Sequence, residues 1–263
     1  MCFTMRLYHL TLQKPSAISK AIFGSFSAKN AEEFVVIRGH TLELLRPDES
    51  FQMQTICSTH AFGVLRDIIP FRVTGASIDH VVVSSDSGRI VVLKFDPKSN
   101  QFEKVHQETF GKTGCRRVTP GQFLAADPNG RAIMIAALEK QKMVYVMNRD
   151  ASERLTISSP LEAHKSKNIL FHVVGIDVGF ENPVFACLEL DYADVDMDPT
   201  GEALQESEKY LTYYELDLGL NHVVRKWSEQ TDRLANMLVA VPAVGGLPGG
   251  VLVFAENFVL YQH

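Results

Sequence analysis

The sequence has few cysteines and no large excess of charge of either sign. Its four cysteines lie far apart, and none of them forms a Cys-x-x-Cys pair. This spacing argues against structural zinc and against a dense disulfide framework, and it suits a reducing compartment. A formal net charge of −5 over 263 residues also lacks the basic excess of an autonomous nucleic-acid-binding protein. We therefore expect a soluble intracellular protein.

Long uninterrupted apolar segments are missing as well. The N-terminus lacks the extended apolar core of a signal peptide. The uncharged run at residues 237–255 is long enough to suggest a membrane span, but Pro242, Pro248 and two pairs of glycines interrupt it. This run predicts two short strands around a turn, and we expect no membrane segment.

The motifs of common enzymes are incomplete. The stretch TFGKTGCRRVTPGQF at residues 109–123 contains Gly-Lys-Thr, but His106 stands where a phosphate-binding loop requires its first glycine. Cys115 lies beside Arg116 and Arg117, yet no histidine base or second cysteine accompanies it. The sequence thus predicts no catalytic residue. Adjacent arginines also suit partner interfaces, because guanidinium groups bind carboxylates and phosphates in bidentate fashion.

An acidic stretch interrupts the second half of the chain. Residues 191–209 carry seven acids and one lysine. Three alternating aspartates from Asp194 resemble the start of a calcium loop, but Pro199 and Gln205 replace the glycine and glutamate that such a loop requires. We interpret residues 192–209 as a flexible acidic loop inserted between two strands, and we predict no metal or other cofactor.

A repeated pattern of short β-rich segments is what the sequence does contain. Five paired apolar runs, each broken by a polar turn or small interruption, begin at Phe34, Val81, Ala132, Val184 and Val251. Their starts lie roughly fifty residues apart once the acidic stretch is set aside, which is typical of the blades of a β-propeller. A β-sandwich would show turns every 8–12 residues or so without this longer period.

The predicted fold is therefore an all-β, WD40-like β-propeller over residues 1–263, with about five blades. No stretch near the C-terminus resembles a strand that returns to complete the first blade. An unclosed propeller would expose sheet edges that pair readily with other chains. We therefore expect an incomplete ring that belongs to a larger one or closes on a partner.

Several long stretches resemble the family of large propeller subunits of the splicing factor 3b complex. They include HQETFGKTGCRRVTPGQFLAADPNGRA at 106–132, VVGIDVGFENPVFACLELDY at 173–192 and YELDLGLNHVVRKWSE at 214–229. The resemblance runs from residue 7 to the C-terminus and is weaker at 48–60 and 203–208. Family members are several times longer, with three propellers and a helical C-terminal part. The resemblance therefore implies an incomplete first, N-terminal propeller.

The resemblance also implies a non-catalytic scaffold role in pre-mRNA splicing in the nucleus. In the family, the propellers clamp the HEAT-repeat subunit of the same complex and hold a very small subunit, in a particle that recognises the branch point. Other spliceosomal proteins are expected partners, and any RNA contact would be indirect or peripheral. Two alternatives are an adaptor in DNA-repair, ubiquitin-ligase or polyadenylation complexes, and a hydrolase that uses a propeller channel. The candidate partner-contact residues are cationic or aromatic: Lys112, Arg116, Arg117, Arg225, Lys226 and Trp227.

Overall fold

A computed structural model describes residues 8, 10, 12–61, 63–111, 117–152, 154–163, 167–179, 181–245 and 249–263. In these ranges the chain forms twenty β-strands and two short α-helices, and the strands pair into five sheets. Every strand pair is antiparallel. None of the described helices is long and apolar enough to cross a membrane.

The first two sheets contain four strands each, and neighbours in the chain are neighbours in the sheet. Sheet 1 consists of β1 (Lys20–Gly24), β2 (Glu33–Arg38), β3 (Thr41–Pro47) and β4 (Met53–His60). Sheet 2 consists of β5 (Leu65–Phe71), β6 (His80–Ser85), β7 (Arg89–Asp96) and β8 (Gln101–Thr109).

The third and fourth sheets repeat this meander. Sheet 3 consists of β9 (Phe123–Ala126), β10 (Ala132–Ala136), β11 (Lys142–Arg149), β12 (Leu155–Ile157) and β13 (Leu161–Glu162), the last two both pairing with β11. Sheet 4 consists of β14 (Asn168–Ile176), β15 (Val184–Asp191), β16 (Lys209–Asp217) and β17 (His222–Thr231). Helices α1 (Ala193–Met197) and α2 (Glu202–Glu206) lie between β15 and β16.

Sheet 5 has three strands: β18 (Met237–Val241), β19 (Gly250–Phe254) and β20 (Val259–Gln262). The first strand of each sheet contacts the first strand of the next, in the order β1, β5, β9, β14, β18. Five meanders with their first strands side by side are the blades of a β-propeller, so the fold prediction is confirmed. All five predicted hairpins are present, and the run at 237–255 contains β18 and β19 as expected.

The central strands are apolar at successive positions because each sheet is covered on both faces. On β15, Phe185 and Cys187 pack toward sheet 3, whereas Ala186 and Leu188 pack toward sheet 5. The side chains of β7 are divided between two neighbouring sheets in the same way, and Val92 packs toward sheet 3. Four apolar clusters of this kind fill the spaces between consecutive sheets. Burial of apolar surface between neighbouring sheets is therefore the main force that holds the five sheets together.

Two short helices occupy much of residues 192–209, the segment that the sequence predicts to be a flexible acidic loop. Asp198 supplies acceptors ahead of α2, because its carboxylate accepts the N–H groups of Thr200 and Ala203, both at 2.8 Å. The hydroxyl of Thr200, which also donates to this carboxylate at 2.6 Å, is the largest cause that lowers the pKa of Asp198 to about 2, and the two N–H groups add to it. The Asp198 carboxylate thus satisfies donors in the turn that leads into α2, whose residues are all at least partly exposed.

Candidate partner-contact surfaces

The loop that contains Arg117 and the acidic insertion at residues 192–209 meet at one buried carboxylate, that of Glu139. Lys112 and Arg116 lie outside the described residues. The side chain of Arg117 is 72% exposed and forms an ion pair with Glu139. The other carboxylate oxygen of Glu139 accepts the hydroxyl of Tyr192 at 2.7 Å. Arg117 thus helps to fix sheet 3 against the insertion of sheet 4, and much of its guanidinium remains open to a partner.

A β-bulge separates the cationic and aromatic residues of β17. Tyr213 pairs with Trp227 and Tyr214 pairs with Arg225, so the register shifts between these two positions. Adjacent residues of β16 point to opposite faces of the sheet. Trp227 and Arg225 therefore lie on opposite faces of sheet 4, although regular alternation would place them on the same face.

Trp227 and Lys226 line a cleft between sheets 4 and 5. Trp227 is 47% exposed and stacks on Tyr213, with ring centroids 4.6 Å apart. Lys226 forms an ion pair with Glu215 at 3.0 Å. Both residues line a cavity of about 640 Å³ that also contacts the ends of β14 and β19. A half-exposed tryptophan fixed by stacking is the type of side chain that dominates protein interfaces.

Arg225 faces a different cavity, which we call the acidic pocket. The acidic pocket lies between the helical insertion and sheet 4 and has a volume of about 460 Å³. Its polar lining is Asn168, Glu189, Asp191, Asp194, Glu206, Ser207, Glu208, Tyr210, Thr212 and Arg225. Sequence reasoning missed this pocket, although Glu189 carried a signal: an isolated charge inside an apolar strand requires a buried partner.

The central channel is lined by strands or adjoining turns of all five sheets and has a volume of about 650 Å³. Three carboxylates reach it among many apolar residues, and each is paired with a cation: Asp67 with Lys20, Asp79 with Arg72, and Asp127 with Arg131. Asp67 and Asp79 also accept backbone N–H groups of neighbouring sheets, from Leu124 at 2.9 Å and Ser25 at 2.8 Å. Asp67 and Asp79 therefore join blades to one another, whereas Asp127 pairs within sheet 3.

The described residues contain no group of three or more His, Cys, Asp or Glu side chains that could hold a metal ion. A propeller hydrolase would need carboxylates or histidines free to act on a substrate at one end of the channel. Because the three channel carboxylates are engaged by cations and backbone donors, this geometry gives the hydrolase alternative no support.

His172 is the histidine of the channel, and it joins sheets 4 and 5. Its Nδ1 accepts the N–H of Leu238 at 3.3 Å, and its ring contacts Phe123 edge-on. Burial, and to a lesser extent the charge of Lys20, lower the pKa of His172 to about 4. The neutral ring is therefore the form that the folded protein favours.

We expect this histidine to make the protein less stable in mild acid. The unfolded chain binds a proton at His172 near pH 6.5, whereas the folded chain does so only near pH 4. The stabilisation is complete above about pH 6.5 and is lost as the pH falls toward 4. Urea unfolding measured across this range should show a shallower pH dependence for His172→Asn, which keeps an acceptor but does not titrate. Identical pH profiles for the two proteins would contradict this assignment.

Comparison with known proteins agrees with the propeller geometry. A sequence model of the family described as "RSE1/DDB1/CPSF1 first beta-propeller" matches residues 17–263. Splicing factor 3B subunit 3 of Danio rerio is 58% identical over 260 residues, which cover 98% of this chain and 21% of that protein. Spliceosome-associated protein 130 A of Arabidopsis thaliana is 59% identical over 259 residues, with 98% and 21% covered.

Pre-mRNA-splicing factor RSE1 of Mycosarcoma maydis is 56% identical over an alignment of 269 positions, which covers 98% of this chain and 22% of that protein. The chain thus spans about a fifth of the length of the relatives it matches. These identities confirm the family resemblance that the sequence shows at residues 106–132, 173–192 and 214–229. Because the family model covers almost the whole chain and these relatives share more than half of its residues, the chain belongs to the RSE1/DDB1/CPSF1 first β-propeller family.

Proposed function

We propose that this chain is a non-catalytic scaffold module for pre-mRNA splicing that acts in the nucleus. The observation that carries the proposal is the identity of 56–59%, along 98% of the chain, to proteins named for splicing. The geometry is compatible with this role, because its channel carboxylates are engaged in structural contacts and its exposed Arg117 and Trp227 suit protein contacts. The proposed partners are the HEAT-repeat and small subunits of a splicing factor 3b complex.

We also propose that sheets outside these 263 residues complete the ring. Among the described strands, β18 and β1 do not make the contact that joins the first strands of consecutive blades elsewhere. The sheet faces at the two ends of the arc carry exposed apolar side chains: Phe23 in sheet 1, and Met237, Val259 and Tyr261 in sheet 5. Faces of this kind are covered between every other pair of blades, so burying them would stabilise the chain.

Affinity purification of the whole protein that contains this chain tests the scaffold proposal. Mass spectrometry of the purified material should identify subunits of a splicing factor 3b complex as the main co-purifying proteins. Purification with a cullin in their place would favour the adaptor alternative and overturn the proposal. Recovery of the intact protein without splicing subunits would also contradict it.

The same purification gives a residue-level prediction for the cleft between sheets 4 and 5. We expect Trp227→Ala to reduce about tenfold the recovery of the splicing factor 3b subunit that contacts this cleft. Aromatic side chains buried in an interface contribute most of its binding energy. Leu220→Ala is the matched control, since Leu220 is an exposed apolar residue outside the cleft. Equal recovery with Trp227→Ala and Leu220→Ala would exclude the cleft as a contact surface.

A further inference from the structure

A groove between the outer strands of sheets 1 and 2, which we call the basic groove, has an apolar floor and a cationic rim. Its cavity has a volume of about 340 Å³, at the lower end of the range of binding pockets. The floor continues the apolar cluster between the two sheets, and its Leu93 and Phe102 are only partly buried. The exposed residues Arg89 and Lys104 also line the groove. Apolar surface and positive charge are therefore accessible side by side.

The two rim cations have no acidic partner. Arg89 forms no ion pair with any residue in the described ranges, and Lys104 donates to the neutral amide oxygen of Gln107 at 3.3 Å. Among the described residues that line the groove, none is Asp or Glu. Asp86 lies next to the lining in the chain, but both of its carboxylate oxygens accept from Arg66. An anion that enters the groove therefore meets positive charge that the protein does not itself neutralise.

A β-bulge in β8 explains how this charge is concentrated. The register between β7 and β8 shifts, so Lys104 and Gln107 both line the groove, although regular alternation would place them on opposite faces. Glu103 and Glu108 are the chain neighbours of these two residues and therefore point to the other face of sheet 2. The bulge thus turns the lysine of β8 toward the groove and both acids away from it.

An acidic peptide fits this combination better than a nucleic acid does. A phosphate backbone would use the cationic rim but leave the apolar floor uncovered, whereas an apolar side chain between two carboxylates would use both. The guanidinium of Arg89 suits a carboxylate, which it can bind in bidentate fashion. The net charge of −5 gives the protein as a whole no attraction for an acidic segment, so the attraction is local. We propose that the basic groove binds a segment of a partner protein in which acidic residues flank an apolar side chain.

This proposal deepens the scaffold function, on which it rests for the existence of a partner, by naming the chemistry that the partner presents. The basic groove lies between sheets 1 and 2, whereas the cleft that contains Trp227 lies between sheets 4 and 5. The two surfaces are therefore separate and can be tested independently. Sequence reasoning did not group Arg89 with Lys104, because they belong to different strands and only the register brings them to one groove.

A peptide titration of the 263-residue chain tests the groove directly. The probe is acetyl-Gly-Ser-Glu-Phe-Glu-Ser-Gly-amide. One comparison peptide replaces both glutamates with glutamine, and the other replaces the phenylalanine with alanine. The methyl groups of Val91 and Leu93, which line the groove, report binding in ¹H–¹³C spectra. We expect their signals to shift with the probe, with a Kd on the order of 1 mM, and each comparison peptide to bind at least about fivefold more weakly.

Charge-matched variants separate a local site from a general electrostatic attraction. Arg89→Gln with Lys104→Gln should weaken binding of the probe about fivefold, since the rim loses both of its unpaired charges. Lys29→Gln with Lys98→Gln removes the same charge at exposed positions outside the groove and should change the Kd less than about twofold. Equal weakening by the two double variants, or equal binding of the probe and either comparison peptide, would overturn the proposal.

Hexauridylate tests the nucleic-acid alternative in the same spectra. It carries several phosphate charges but no apolar side chain, so we expect smaller shifts of Val91 and Leu93 than with the probe at the same concentration. Shifts as large as those of the probe would overturn the proposal in favour of a nucleic acid. Failure of the splicing subunits to co-purify would leave the peptide shifts unchanged, so this proposal and the scaffold proposal fail separately.

Discussion

Replacing Lys142 with methionine is expected to lower the free energy of unfolding by about 3–5 kcal/mol, although methionine is close to lysine in volume. Lys142 and Glu189 form an ion pair between sheets 3 and 4, with side chains only 5% and 1% exposed. Without the ammonium group, Glu189 retains two donors, the amide of Asn168 and the hydroxyl of Tyr214. These do not compensate a buried negative charge. Urea unfolding followed by circular dichroism measures the loss.

Two controls distinguish an uncompensated charge from lost packing. Lys142→Met combined with Glu189→Leu should recover part of the stability, because the buried charge is removed, although the buried donors of Asn168 and Tyr214 lose their acceptor. Arg154→Met removes one partner of the exposed pair with Asp150 and should cost less than about 1 kcal/mol. A double variant as unstable as Lys142→Met alone would show that the ion pair itself is not the cause.

The strands of this fold were predictable because their signals are local. The run that begins at Val184 is apolar at successive positions, and the structure explains this by burial on both faces of β15. The turn after β6 was predictable for the same reason. Its Gly88 has a φ of +70°, a conformation that glycine adopts without strain, and the sequence places it at the end of a Ser-Asp-Ser-Gly turn.

The candidate sites were less predictable because they depend on contacts between distant residues. Lys142 and Glu189 are 47 positions apart, and no feature of the sequence around either residue indicates that the two form a pair. The contact of Arg117 and Tyr192 through Glu139 likewise joins three separate segments. The bulge opposite Tyr213 is a local feature, but it carries no glycine signal, so the sequence alone grouped Arg225 with Trp227. Pairing across blades, rather than strand formation, is where the sequence was least informative.

Gly175 lies where the backbones of sheets 3 and 4 come close together, and we expect Gly175→Ala to lower the free energy of unfolding by about 3 kcal/mol. A Cβ atom at this position would lie 2.7 Å from the carbonyl carbon of Ala126 and closer still to its oxygen. Since both obstacles are backbone atoms, no side-chain rotation relieves the contact. Strands β9 and β14 would have to separate, which would strain the 2.6 Å bond from the Asn129 amide to Gly179.

Gly219→Ala is the matched control for this substitution. Gly219 lies in the turn between β16 and β17, and its added Cβ would meet only a carboxylate oxygen of Asp217, at 3.3 Å. A short side chain can move by the few tenths of an ångström required, so the cost should stay within about 0.5 kcal/mol. Urea midpoints of the two variants, measured side by side, give the difference. Equal midpoints would show that the backbone contact between Gly175 and Ala126 does not limit how closely sheets 3 and 4 pack.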